Sequence, residues 1–175
     1  TYGYGYYADF RHNKALGEKF GINITDGAGN VVKVKTDEVR HKGLTQNAYG
    51  VVYNVNYKDN DWDVIGGVNL QQFRGNHWGY LTYIKDEAIE KKYLTNNGKY
   101  KYYDSDARKD DYSAFVKAAY KFLDSWNVFV DLQYRHVGYK TDGNNDKFIK
   151  ASDGKYYAQR LDVDEDFNFF NPKAG

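Results

Sequence analysis

Residues 46–73, QNAYGVVYNVNYKDNDWDVIGGVNLQQF, alternate side chains with period two on both sides of a tight turn. A chain can satisfy that pattern only as two long strands of a hairpin. On the first strand Tyr49, Val51, Tyr53, Val55 and Tyr57 share one face, and Gly50, Val52, Asn54 and Asn56 share the other. After the turn at 58–61, Trp62, Val64, Gly66, Val68 and Leu70 continue the apolar face, opposite Asp63, Ile65, Gly67, Asn69 and Gln71. Residues 111–139, DYSAFVKAAYKFLDSWNVFVDLQYRHVGY, repeat the design with a turn at 123–125. There Tyr112, Ala114, Val116, Ala118, Tyr120 and Phe122 are followed by Trp126, Val128, Val130, Leu132 and Tyr134. Both hairpins descend to Tyr-Lys, turn through an Asp and restart on a Trp, which reads as one unit used twice about 60 residues apart. Although 28% of the chain is charged, none of the apolar-face positions of the two hairpins is.

The remaining composition narrows the class. With 25 Lys and Arg against 24 Asp and Glu, no bulk field points to nucleic acid. Nineteen Tyr, one Pro and no Cys fit a Tyr- and Gly-rich all-β chain, and they remove disulfides, thiolate metal sites and thiol catalysis. No apolar run approaches the roughly 18 residues of a membrane-spanning helix, which leaves β-barrels open because their strands carry a weaker signal. Polar stretches at 14–44, about 75–110 and 140–164 read as long loops, all at one end of the hairpins.

Period-two alternation also fits a self-contained soluble β-rich binding or adhesion domain. Three features favour a membrane barrel. Strands of about 12 residues at a tilt near 40° rise about 30 Å, enough for an outer membrane. Tyr57, Trp62, Phe122 and Trp126 flank the two short turns, and Tyr49, Tyr112 and Tyr134 lie toward the other ends, as two interfacial girdles. Short turns on one side and long loops on the other match barrel topology. Lys117, Asp131 and Arg135, on the other face, then need water or protein beside them, which implies a wide lumen. The side chains of Tyr53, Val55, Val64, Val128 and Leu132 are expected to find no core within this chain.

The stretches YGYGYYADF, AYGVVYNVNYKDNDWDVIGGVNLQQFRGNHWGYL, FLDSWNVFVDLQYRHVGYKTDG and FNFFNPKAG resemble the barrel of TonB-dependent outer-membrane receptors. The most specific are DLQYRH and, some thirty residues later, FFNPKAG. The resemblance implies a segment of a 22-stranded transmembrane β-barrel: residues 1–175 would supply about six long antiparallel strands, without the N-terminal plug and TonB-contacting region. It further implies import of a scarce nutrient (a metal chelate, vitamin or glycan) in a Gram-negative outer membrane. The partners would be lipid, the TonB complex through the missing region and, in some members, a surface lipoprotein. On this reading the first strand covers 1–13 and a sixth is just beginning at FNFFNPKAG. Phe167, Phe169 and Phe170 then lie near the outer rim, and Pro172 stands where the ladder begins or ends.

Chemical motifs are sparse. Asp59, Asp61 and Asp63 of DNDWD resemble the start of a calcium loop, but Val64 stands where Gly is needed and Leu70 where the bidentate Glu belongs, so turn chemistry explains them. His12, His41, His77 and His136 show no metal-ligand spacing. No nucleophile motif or phosphate loop occurs, and no cofactor or enzyme is expected; an esterase would need Ser113 and His136 to face together. FRGNHWGYLTY offers the best ligand-facing set, with Arg74, His77, Trp78, Tyr80 and Tyr83 providing stacking surfaces and donors for a small molecule or glycan.

Overall fold

The computed structural model describes the backbone of residues 2–123 and 125–175, and the side chains from Ala15 onward except that of residue 124. Alternation dictates an antiparallel meander, and one six-stranded sheet is what forms, with spatial order β1-β4-β5-β6-β7-β8. Its strands are β1 (Tyr2–Ala15), β4 (Lys35–Lys58), β5 (Trp62–Ile84), β6 (Tyr100–Phe122), β7 (Trp126–Lys150) and β8 (Tyr156–Ala174). Between β1 and β4 lie α1 (Leu16–Phe20) and a small ribbon of β2 (Ile24–Thr25) and β3 (Val31–Val32); α2 (Glu87–Tyr93) lies between β5 and β6. Both sequence-predicted hairpins are present, with Tyr57 facing Val64 and Phe122 facing Trp126.

The strands are about twice the expected length, 23 residues in β5 and β6 and 25 in β7. The segments read as loops at 35–44, 75–84, 100–110, 140–150 and 156–164 are upward continuations of the strands. Just above the apolar band both faces are mostly polar, and nearer the connections register shifts at Val39/Arg40 and Gly79/Tyr80 break the alternation, so no hydrophobic period marks these segments. The backbone ladder continues through them, flanked by exposed cross-strand charge pairs, Lys140 with Asp164 at 2.7 Å and Arg160 with Asp142 at 2.5 Å. True connections at that end shrink to residues 16–34, 85–99 and 151–155. FNFFNPKAG is therefore the lower half of β8 rather than the start of a strand. Phe167 faces Val137, Phe170 faces Tyr134 and Pro172 faces Leu132. Phe129 and Gly175 exchange both backbone hydrogen bonds. Strict alternation from that pair turns the nitrogen of Pro172 away from β7, so its missing N–H costs the β7–β8 ladder nothing.

Register assembles the apolar positions into one continuous face across five strands. Its rows run Tyr57–Val64–Ala118–Val130–Ala174, Val55–Gly66–Val116–Leu132–Pro172, Tyr53–Val68–Ala114–Tyr134–Phe170 and Val51–Leu70–Tyr112–His136–Asn168. One step higher the row is Tyr49–Gln72–Asp110–Gly138–Asp166, and the next contains Arg74, Arg108, Lys140 and Asp164. The charge-free band thus spans residues 112–122 of β6, about 28 Å at 3.3 Å per residue and a tilt of about 40°. Its aromatics pack at the turn end, with Trp62 and Tyr120 centroids 4.6 Å apart and Phe122 stacked on Trp126 at 6.2 Å.

No second layer covers this face among the described residues: Tyr53 is 63%, Val55 51%, Val128 43% and Leu132 37% exposed, and Val64 is half-buried. The closely packed core sits elsewhere, at the connection end and on the opposite face. There Leu16, Phe20 and Ile22 of the β1–β4 connection bury against Leu81, Ile84, Tyr102 and Tyr103. Phe20 meets Tyr102 edge-on at 4.9 Å. Gly21 ends α1 in the left-handed region at φ 67°, and a Cβ there would lie 2.5 Å from the Phe148 ring. Asp86 caps α2 by accepting from the N–H groups of Ala88 and Ile89, each at 3.1 Å.

Candidate functional site

The opposite, polar face carries the chemistry. Positions that alternate with the apolar band place Asn69, Ser113 and Arg135 side by side, with Gln71 and Asp111 one step above them. Arg135 forks onto Asp111, donating from Nε at 2.9 Å and Nη2 at 2.6 Å, in the planar two-bond geometry that suits guanidinium and carboxylate. One turn-ward step brings Gln133 to donate to Asp131 at 3.2 Å, while the Lys117 ammonium lies 3.7 Å from the same carboxylate. Asp111 and Asp131 are both buried, 7% and 8% exposed, and each is matched by a cation. Asp111, Arg135, Lys117, Gln133, Phe115 and Phe169 line an open hollow of about 730 Å³. Asn69 also lines it, and its side-chain oxygen is buried without a hydrogen-bond partner among the described residues.

A second hollow of about 420 Å³ lies higher on the same face, lined by Lys42, His77, Tyr103, Tyr139, Thr141 and Asp146, among others. Lys42 forms an ion pair with Asp146 and sits 5.5 Å from the centroid of the Tyr103 ring. Burial alone would raise the Asp146 carboxyl, but the Lys42 hydrogen bond and charge outweigh it and hold the group below its ordinary range. Close by, burial pushes the Tyr102 hydroxyl well above its usual value. Rings, fixed ion pairs and amides on one wall can bind a polar small molecule by stacking and hydrogen bonding. Among the described residues, no three His, Asp or Glu side chains are grouped to hold a metal ion.

The five residues singled out from sequence are not brought to one place. Arg74, Trp78, Tyr80 and Tyr83 lie on the face that carries the apolar band, above it, whereas His77 alone points into the upper hollow of the polar face. Trp78 and Tyr80 do meet, with centroids 5.4 Å apart, and Lys99 and Lys101 lie 5.9 and 5.4 Å from the Tyr80 ring. Arg74 donates to Gln72 at 3.1 Å and lines a separate hollow with Arg108 and Lys140. FRGNHWGYLTY is strand throughout, so parity parts His77 from the other four, which share one face.

Ser113 and His136 are likewise on opposite faces, since Ser113 faces Arg135 and His136 faces Tyr112. His136 instead contacts Asn168 through Nδ1 at 2.9 Å. Asp59 works as a turn residue, accepting from the N–H groups of Asp61 at 2.9 Å and Trp62 at 2.7 Å. His12 lies among the residues whose side chains are not described. Lys42, Tyr103 and Asp146 went unnoticed in the sequence because they stand in three segments without hydrophobic period, and Tyr139 is the last residue of the second periodic stretch. Their only linear signal is an aromatic residue beside alternating charge. Comparisons with known protein families, with curated proteins and with solved structures find no match to this chain.

Proposed function

We propose that the chain is part of the wall of an outer-membrane β-barrel transporter of the TonB-dependent type, importing a small polar nutrient in a Gram-negative bacterium. The observation that carries the membrane part is the uncovered band across β4–β8. It is free of charge, about as tall as the apolar zone of an outer membrane, aromatic at its turn end, and backed by a face rich in ion pairs. A soluble binding domain would need a second layer over Tyr53, Val55, Val128 and Leu132, and no described element supplies one. The transporter type rests on DLQYRH and FFNPKAG, which pair directly, with Asp131 opposite Lys173 and Arg135 opposite Phe169. On this reading lipid meets the apolar band, the two hollows line the lumen, and energy reaches the barrel through a plug and the TonB complex.

Tryptophan quenching by brominated phospholipids tests the membrane part. In the membrane-assembled protein, Trp62 and Trp126 should be quenched strongly and Trp78, about 20 Å beyond the band at a tilt of about 40°, weakly. Equal quenching of all three would count against it. Growth of a deletion strain on metal chelates, vitamins and glycans tests import, and undiminished growth on each of them as scarce nutrient would count against transport.

A further inference from the structure

β1 and β4 are neighbours in the sheet, with Ala15 facing Lys35, so a hairpin of two to five residues would connect them. The chain instead spends residues 16–34 on an excursion over the polar face to the far side of the sheet. Leu16, Phe20 and Ile22 settle on Leu81 of β5, on Tyr102 and Tyr103 of β6, and beside Phe148 of β7. Asn23 then reaches the first residue of β8: its Nδ2 donates to the carbonyl of Tyr156 at 2.9 Å, and its Oδ1 accepts from the Tyr156 N–H at 2.8 Å. One side-chain amide thereby takes the place of a neighbouring strand's peptide, 133 residues away in sequence. The Asn23 carbonyl is bonded by the Tyr93 hydroxyl at 3.5 Å, so the connection carrying α2 joins the same knot.

From β1 to β8 the excursion crosses five strand spacings, about 24 Å. No feature of the sheet's connectivity requires it, and it contains three of the best-buried side chains in the molecule, each at most 1% exposed. We infer that residues 16–34 form a fixed strap, latched by Asn23 on Tyr156, that roofs the polar face at the connection end and sets the size of solute able to reach the upper hollow from there. The inference rests on the barrel reading for its role as an entrance filter, whereas the strap and its latch are properties of the chain itself. Tyr103 belongs both to the strap's core and to the hollow, so the roof ends where the hollow begins.

The chain has no cysteine, so one placed at Ser105, in the wall of the upper hollow, reports access cleanly. Its labelling by a small methanethiosulfonate and by a 5-kDa polyethylene-glycol maleimide is compared in three backgrounds: otherwise native, Asn23→Ala, and residues 17–33 replaced by Asn-Gly. Excision should speed the large reagent at least tenfold and the small one less than about threefold. Asn23→Ala should accelerate amide exchange at Tyr156 and in α1 at least tenfold, leaving the amides of 112–122 unchanged. Equal large-reagent rates with and without the strap would overturn the filter, and unchanged exchange at Tyr156 would overturn the latch. Exchange that rises throughout 112–122 would also overturn the latch, by making Asn23 a general fold residue. Failure of the membrane reading appears separately, in the tryptophan quenching, which neither arm uses.

Discussion

Replacing Val116 by lysine places an ammonium at the middle of the apolar band. Val116 sits between Ala114 and Ala118 along β6 and between Gly66 and Leu132 across the sheet, so no neighbour on its face can hydrogen-bond a cation. The nearest acid on that face in β6, Asp110, is six residues away, about 20 Å along the strand and beyond the reach of a lysine stem. In lipid such a charge costs about 2–4 kcal/mol, a loss of about 30- to 700-fold in the folding equilibrium. Gln133→Lys is the matched control, since it lies at the same height on the other face and already donates to Asp131. It should change stability by at most about 0.5 kcal/mol. Guanidinium unfolding of the protein assembled in phospholipid vesicles reads both variants. If Val116→Lys costs no more than Gln133→Lys, the band does not face lipid and the reasoning fails.

Two further outcomes follow from local geometry. A Cβ on Gly43 would lie 2.0 Å from Cζ2 of Trp78, so Gly43→Ala should cost about 1–3 kcal/mol and shift Trp78 emission in a protein carrying Trp62→Phe and Trp126→Phe. Gly27→Ala, with open space around it, should be neutral within about 0.5 kcal/mol, and equal effects would refute the close contact. The N–H of Trp62, the Tyr57 hydroxyl and the N–H of Asp61 hold the Asp59 carboxyl below its ordinary 3.8, and the N–H of Lys155 and the Tyr157 hydroxyl do the same for Asp153. A depressed carboxyl stabilises the fold above its unfolded value, and that support is lost as pH falls through the folded one. Both turns should therefore hold at pH 4 and loosen only below 3.8; carboxyl NMR midpoints at or above 3.8 would contradict this.

The lower half of the sheet was legible because one face had to avoid charge: Tyr49 to Tyr57 and Tyr112 to Phe122 announce their parity residue by residue. The upper half was not, since Asn47, Arg74, Arg108, Lys140 and Asp164 make a row as polar as the face behind it. Its order lies in the continued backbone ladder, and the charge pairs that accompany it, such as Lys140 with Asp164, are brought together only by register. The helices LGEKF and EAIEKKY have too few turns to show a period. His77 was separated from Arg74, Trp78, Tyr80 and Tyr83 by strand parity, which a loop assignment hides. The Asn23–Tyr156 latch had no linear signal at all, because a side-chain amide imitating a peptide can stand beside any backbone.

Cysteine scanning of 112–122 in the membrane-assembled protein tests the two-faced wall most directly. The native chain contributes no thiol background. Positions 113, 115, 117, 119 and 121 should react with a water-soluble maleimide at least tenfold faster than 112, 114, 116, 118, 120 and 122, and a lipid-soluble reagent should reverse the order. Labelling without alternation, or faster at the even positions in water, would contradict a wall with lipid on one side and a polar lumen on the other.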